Sequence, residues 1–164
     1  MHVNAFNELS AGQAETLLRP CVDVDRWVHS LVSERPFNSR DELISFALNG
    51  IPMFDSQELE AALAQHPRIG EKAQGESKEA DLSRGEQASL KLDSDATARL
   101  KVANQNYEQR FDRVFLIRAA GRSTEEILAE CERRLANDEA TELSEVATQL
   151  REIAVLRLKD LITN

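Results

Sequence analysis

Apolar residues recur along this chain at helical spacing, and polar residues mark where each helix begins. In the motif Ser-x-x-Glu/Gln, a serine caps the first helical turn and the side chain three residues later bonds back to the cap. The motif occurs before apolar-periodic stretches at Ser10/Gln13, Ser39/Glu42, Ser83/Glu86 and Ser123/Glu126. The pattern predicts helices over residues 11–18, 24–34, 40–49, 56–65, 84–91, 96–112, 124–136 and 139–162.

One stretch is a candidate for extended structure. The residues from Val114 to Ala120 are apolar without helical alternation, and Gly121 follows them. Because no second candidate strand exists to pair with it, we interpret the stretch as a buried connector. The sequence therefore predicts an all-α, single-domain bundle of about eight helices over residues 1–164, with one long loop at 67–82. Long loops in compact domains are often functional.

Size and charge narrow the classes of function. A chain of 164 residues can bury one hydrophobic core. The net charge of −9 argues against nucleic acid or an anionic membrane as the main partner. No apolar run reaches 18 residues and the first residues lack a secretory signal pattern, so we expect a cytoplasmic protein. Cys21 and Cys131 lack CxxC spacing and are predicted to be small buried residues in a reducing compartment.

The sequence shows no pattern of a metal or nucleotide site. The three histidines and two cysteines lack metal-ligand spacing. The glycine-containing stretch at 70–77 imitates a phosphate-binding loop, but Glu76 stands where the phosphate-binding lysine would be and no strand precedes it. We therefore expect chemistry carried by side chains alone, without a cofactor.

His66 is the first candidate for that chemistry. Pro67 disfavours the helical conformation at the residue before it, so the helix over 56–65 should end at His66. An imidazole held on a restricted backbone suits a general acid or base. The alternative is a histidine that only closes the helix through its dipole.

Arg157 is the second candidate, because it interrupts an apolar stripe on the last predicted helix. The stripe consists of Leu143, Val146, Ala147, Leu150, Ile153, Ala154, Leu158 and Leu161. A charged residue on that face needs a partner or an anion. The functional interpretation is a guanidinium that meets an anionic ligand in a pocket. The alternatives are an internal salt bridge or an arginine that extends to the rim.

Glu86 has a simple local explanation. It follows Ser83 by three residues, which is the capping-box spacing at the start of the helix predicted at 84–91. A carboxylate near an imidazole can also orient it and raise its basicity. The sequence leaves both interpretations open.

Several short elements occur together in one order. HPRIG at 66–70 is followed by S-x-x-E-Q at 83–87, by N-x-x-Y-x-x-R-F at 104–111 and by Arg157-Leu158. In this order and spacing, they make the chain resemble the family of 2-oxo-4-hydroxy-4-carboxy-5-ureidoimidazoline (OHCU) decarboxylases of purine degradation. The resemblance covers nearly the whole chain, from Val3 to Leu161. Each element alone is weak, but together they are specific.

The resemblance implies an all-helical fold, commonly a homodimer, that needs no metal or organic cofactor. The implied reaction converts OHCU to (S)-allantoin and carbon dioxide. The family's catalytic residues match His66, Glu86 and Arg157, and its substrate contacts match Ser83, Gln87, Pro67, Arg157 and main-chain groups near Ile117. At 112–114 the chain has Asp-Arg-Val where the family often has Gly-Phe-Pro. This departure lies near the Ile117 contact.

We hypothesise that Glu86 orients His66 for proton transfer, that Ser83 and Gln87 hold the ring and ureido groups, and that Arg157 binds the anionic end. Two alternatives stay open. The chain could be a non-catalytic helical interaction module, in which Arg157 is a structural ion pair. It could also be a helical lyase for another small anionic heterocycle. Thermal stabilisation by allantoin distinguishes the first alternative, and a substrate panel distinguishes the second.

Overall fold

The computed structural model describes residues 1–71, 78–88, 90 and 92–164, with Glu79 described by its backbone alone. These residues form nine α-helices and no named strand. The helices are α1 Val3–Glu8, α2 Ala11–Leu18, α3 Asp25–Ser33, α4 Arg40–Ser45, α5 Ser56–Leu63, α6 Lys78–Gln87, α7 Ser94–Phe111, α8 Thr124–Arg134 and α9 Glu139–Leu161. A π-helical turn, Phe46–Gly50, continues α4. The predicted all-α class is confirmed.

Seven of the predicted helices lie where the periodicity placed them. Three of the seven start at predicted caps: Ser10 and Gln13 bond reciprocally at α2, while Ser39 and Ser123 accept backbone N–H groups at α4 and α8. The sequence pattern missed α1, because six residues are too few to show a helical period. His2 caps this short helix by accepting the N–H of Asn4.

The prediction for α6 was wrong in its boundary. The helix begins at Lys78 rather than at 84, so Ser83 lies in its middle and does not cap it. The predicted loop at 67–82 is correspondingly shorter, because residues 78–82 are helical. Residues 72–77, which include the glycine-containing stretch around Glu76, lie outside the described residues. The capping-box interpretation of Ser83 and Glu86 failed because the same spacing also places two side chains on one face of a helix.

Two hydrophobic clusters form the core. The first surrounds Trp27 and contains buried residues of α1 to α5 and α9. The second contains Tyr107 and joins α7 and α8 to residues 115–119. The apolar face predicted for α9 is confirmed, since Val146, Leu150 and Leu158 are buried in the first cluster. Residues 114–119 have no regular secondary structure and contain buried apolar side chains, which confirms the predicted connector.

Cys21 and Cys131 are both buried, as predicted, and neither forms a disulfide. Burial raises the pKa of the Cys131 thiol to about 11. None of the described helices is long and apolar enough to cross a membrane.

Candidate active site

A narrow cavity lies where the two hydrophobic clusters meet. Its walls come from the turn after α5, from α6, from residues 115–119 and from Ile153 of α9. The cavity brings together six of the seven predicted site residues, namely His66, Pro67, Ser83, Glu86, Gln87 and Ile117. Its volume is about 30 Å³, room for one or two water molecules. A larger groove of about 590 Å³ between α7 and α8 contains none of the predicted site residues.

Arg157 lies behind this cavity and binds two residues of its α6 wall. Its Nε donates to Glu86 Oε1 at 2.6 Å, and its Nη2 donates to Glu86 Oε2 at 3.1 Å. The same Nη2 lies 3.2 Å from Ser83 Oγ, and Nη1 donates to the carbonyl of Pro20 at 3.1 Å. The arginine side chain is 2% exposed and that of Glu86 is 23% exposed. Arg157 therefore forms an internal salt bridge, and that salt bridge reaches the cavity.

The partner of Glu86 differs from the hypothesis. Glu86 was expected to orient His66, but its two carboxylate oxygens accept from Arg157. No hydrogen bond joins Glu86 to His66 in the part of the chain that the structure describes. Both residues line the same cavity, so a ligand in it can contact each of them. The guanidinium of Arg157 thus positions the carboxylate of Glu86, and this carboxylate does not orient the imidazole of His66.

His66 lies at the end of the turn that follows α5. Its backbone N–H donates to the carbonyl of Leu63 at 3.1 Å, and Pro67 prevents further helix. Burial, and then the positive charge of Arg157, lower the pKa of His66 from 6.5 to about 4. Near neutral pH the imidazole is therefore uncharged and has one nitrogen that can accept a proton.

The HPRIG loop is held in place from two helices. From α7, Asn104 Nδ2 donates to the carbonyl of Ile69 at 2.9 Å, and the exposed pair Arg68–Glu108 lies beside it. From α6, Gln87 Oε1 accepts the N–H of Gly70 at 3.0 Å. Gln87 was predicted to contact substrate, and this bond leaves its amide nitrogen for that task.

Gly70 closes the loop in a conformation that favours glycine. Its φ is +88°, and a Cβ at this position would lie 3.0 Å from Leu100 Cδ1. Any other residue would therefore be strained in its backbone and crowded against α7. The close approach keeps the loop, and His66 with it, against the second cluster.

The connector provides the wall opposite α6. Arg118 fixes it to α9, because its N–H donates to Gln149 Oε1 at 2.9 Å and its Nε lies 3.0 Å from Glu152 Oε2. The N–H groups of Ile117 and Ala119 have no acceptor among residues 1–71, 78–88, 90 and 92–164. Both residues line the cavity, which makes these groups candidate donors to a ligand.

The sequence departure at 112–114 lies outside the cavity. Asp112 ends α7 in the left-handed conformation with φ 55°, and Arg113 forms an ion pair with Glu139. None of these three residues lines the cavity around Ile117. The departure therefore changes the turn before the connector and not the wall itself.

Sequence reasoning missed the polar residues that hold these walls. Asn104 and Tyr107 belong to the N-x-x-Y-x-x-R-F element, yet no role followed from it. Both are buried, at 3% and 0% exposure, on the face of α7 that meets the site. The sequence signal for them is that Asn104 lies three positions before Tyr107, so both share one face of α7.

The comparison with a family model identifies relatives of this chain. Residues 7–159 match the model described as OHCU decarboxylase. Over 131 residues the chain is 31% identical to the 2-oxo-4-hydroxy-4-carboxy-5-ureidoimidazoline decarboxylase of Haloferax volcanii, covering 78% of this chain and 76% of that protein. It is 27% identical over 165 residues to the uric acid degradation bifunctional protein of a Bacillus species, covering 98% of this chain and 32% of that protein.

Solved structures show the same fold. A crystal structure of OHCU decarboxylase in the presence of (S)-allantoin matches with a TM-score of 0.65 at 22% identity, covering 86% of this chain and 93% of that chain. A crystal structure of (S)-allantoin synthase matches with a TM-score of 0.70 at 15% identity, covering 99% of this chain and 54% of that chain. At these identities the likeness concerns the fold alone.

Proposed function

The chain belongs to the OHCU decarboxylase family, and from that premise we propose that it converts OHCU to (S)-allantoin and carbon dioxide. The observation that carries the proposal is the convergence on one cavity of His66 and Glu86, with the buried guanidinium of Arg157 behind them. These residues come from three separate parts of the chain. Their charges and exposures suit a small polar substrate with an anionic group.

The reaction supplies its own electron sink. The carboxyl group of OHCU lies β to the ring C=N, so the pair left when carbon dioxide departs passes into that double bond. The ring nitrogen then takes a proton from solvent. A second proton moves from the ring hydroxyl to the adjacent ring carbon, which turns the hydroxyl into the carbonyl of allantoin. The protein must therefore orient the carboxylate, stabilise charge and move one proton on one face.

We assign the proton movement to His66. A neutral imidazole can accept the hydroxyl proton and return it to the ring carbon, and the lowered pKa of His66 keeps it neutral. The imidazolium that forms briefly lies near Arg157, which disfavours it and promotes its release of the proton. An anionic substrate group between the two residues would offset that repulsion.

The other residues bind and orient the substrate in this proposal. Glu86, held by Arg157, accepts N–H groups of the ureido chain. The Gln87 amide nitrogen and the Ile117 N–H donate to the ring, and the Ser83 hydroxyl donates or accepts there. Pro67 packs against the ring face. Arg157 binds the carboxylate after exchanging one of its present bonds, to Ser83 or Glu86, for it. Because the cavity of about 30 Å³ is far smaller than OHCU, its walls must separate before substrate enters.

We also propose that the protein acts in the cytoplasm as a homodimer. The two buried cysteines form no disulfide, which supports a reducing compartment. Size-exclusion chromatography with light scattering tests the dimer, and a mass near 18.4 kDa would contradict it.

The activity is tested by adding the purified protein to freshly generated OHCU. Decay of OHCU absorbance and growth of optical activity from (S)-allantoin are expected to accelerate together. Racemic allantoin forming at the spontaneous rate would contradict the proposal. A panel of other small anionic heterocycles tests the competing lyase, and a thermal shift with (S)-allantoin reports binding without turnover.

Replacing Arg157 with lysine is expected to lower kcat/KM about ten- to a hundredfold. Lysine keeps the positive charge but cannot form the two parallel bonds to a carboxylate, and bonds to charged groups contribute about 1.5–3 kcal/mol each. Steady-state kinetics with OHCU, with folding followed by circular dichroism, measure the effect. R151K is the matched control, since Arg151 also lies on α9 but donates to the carbonyls of Leu48 and Ile51. Equal kinetics in R157K and R151K would remove Arg157 from the site.

A further inference from the structure

Two opposite charges are completely buried between α8 and α9, next to the site but outside it. Arg134 is 1% exposed and Glu142 is 0% exposed. Arg134 Nε donates to Glu142 Oε1 at 2.8 Å, and Tyr107 OH donates to the same oxygen at 2.7 Å. Asn137 Nδ2 donates to the second carboxylate oxygen at 3.0 Å. Each oxygen of the carboxylate therefore has a donor, as a buried charge requires.

Stability alone gives a weak reason for such a network. Desolvation of two charges can exceed their attraction, and apolar residues of similar volume often replace buried ion pairs without loss. A hydrogen-bonded ion pair fixes the relative positions of its two groups, whereas an apolar contact does not.

The network holds the wall formed by residues 115–117. The third nitrogen of the guanidinium, Nη1 of Arg134, donates to the carbonyl of Leu116 at 2.8 Å. The guanidinium carbon also lies 4.7 Å from the ring centre of Phe115. Phe115, Leu116 and Ile117 all line the cavity, while Arg134 and Glu142 do not.

This wall depends on side-chain bonds for its position. Residues 114–119 have no helix or strand to fix their backbone. Among the described residues, two side chains bond to this backbone: Arg134 Nη1 donates to the Leu116 carbonyl, and Gln149 Oε1 accepts the Arg118 N–H. Ile117, whose N–H is the candidate substrate donor, lies between those two anchors.

We propose that Arg134 is a positioning residue for the decarboxylation: Glu142 orients its guanidinium, and the guanidinium sets the Ile117 N–H at the cavity. The inference rests on the proposed function for its kinetic consequence. Its structural part, that Arg134 determines the backbone position of residues 115–117, is independent of the substrate.

The test variant is R134K. Lysine can keep the ion pair with Glu142 but cannot reach the Leu116 carbonyl at the same time, because it has one nitrogen in place of three. At a temperature where the protein is fully folded, kcat is expected to fall about a hundredfold with a smaller change in KM. Misplacement of a positioning group by about 1 Å has effects of that size.

Two matched variants separate positioning from general destabilisation. Arg35 also donates to backbone carbonyls, those of Phe6, Leu9 and Val32, but none of these residues lines the cavity. R35K is therefore expected to lose stability and keep wild-type kcat. Y107F removes one donor to Glu142 while leaving the bond from Arg134 to Leu116, and it is expected to keep kcat within a few-fold.

The backbone amide signals of Leu116 and Ile117 in ¹H–¹⁵N spectra give a readout that needs no activity. They are expected to shift in R134K and to stay in place in R35K. If the wild type proves inactive on OHCU but these shifts occur, the proposed function fails and the positioning role stands. Unchanged amide signals together with kcat equal to that of R35K would overturn the inference. Should R134K fail to fold, R134M/E142M removes both charges and is expected to show the same losses.

Discussion

Replacing His66 with asparagine is expected to lower kcat on OHCU by about 10²–10⁴-fold, the range for loss of a general acid–base group. The fold should survive, because the His66 side chain forms no hydrogen bond within the described residues and faces the cavity. Asparagine is similar in size and polar, but it cannot carry a proton between hydroxyl and ring carbon. Stopped assays of allantoin formation, normalised to folded protein, give the measurement.

The control for this variant is H29N, which removes an exposed imidazole that lies 3.7 Å from Glu15 and does not line the cavity. It should retain wild-type kcat. The acidic side of the pH profile of kcat/KM reports the pKa of the base in the free protein. In the wild type, the midpoint of that side is therefore expected near pH 4 and not near 6.5. Turnover by H66N at the wild-type rate would assign the proton movement to another group.

H66N is also expected to remove a loss of stability that the wild type undergoes at acidic pH. Burial and Arg157 lower the pKa of folded His66 to about 4, whereas in the unfolded chain it is near 6.5. Between these values the unfolded state binds more protons, so the free energy of unfolding falls as the pH falls from 6.5 to 4. Below pH 4 the contribution is constant. At 1.36 kcal/mol per pKa unit, the shift corresponds to a loss of up to about 3 kcal/mol in the free energy of unfolding.

Urea unfolding of the wild type and H66N at intervals from pH 7.5 to 4 measures this difference. Other carboxylates titrate in both proteins, so the gap between the two curves isolates His66. Below pH 6.5, the free energy of unfolding of H66N is expected to rise progressively relative to that of the wild type. H29N, a surface substitution, should follow the wild-type curve within about 0.5 kcal/mol. Parallel curves for H66N and the wild type would show that the imidazole is not held in a buried, positively charged surrounding.

The failure at Glu86 shows where local patterns mislead. Ser83 and Glu86 satisfy the capping-box spacing, and nothing in the neighbouring sequence contradicts a helix start there. The partner that explains Glu86 is Arg157, 71 positions away. A rule that uses a spacing of three residues has no access to that distance, so the local pattern favours a cap and does not indicate the ion pair of Glu86 with Arg157.

The buried pair Arg134–Glu142 shows a second limit. In the sequence the two residues are eight apart across the end of α8 and the start of α9, within a highly charged stretch. The same two residue types, in the same stretch, form the more exposed ion pair Arg133–Glu145, whose side chains are 51% and 29% exposed. Periodicity predicts which face of a helix is apolar, but here the burial of a charge depends on the packing of α7 and the connector over it.

The sequence by itself determined the all-α class, most helix boundaries, the buried stripe of α9 with Arg157 in it, and the end of the helical stretch before Pro67. These features follow from interactions between residues a few positions apart, whose geometry is the same in every helix. The tertiary structure alone decided that Glu86 faces Arg157 rather than His66, and that Arg134 reaches the wall of the site. Those contacts depend on how the helices and the connector pack. Because burying a charge costs desolvation free energy, a buried charge is stable only where partners from several segments surround it.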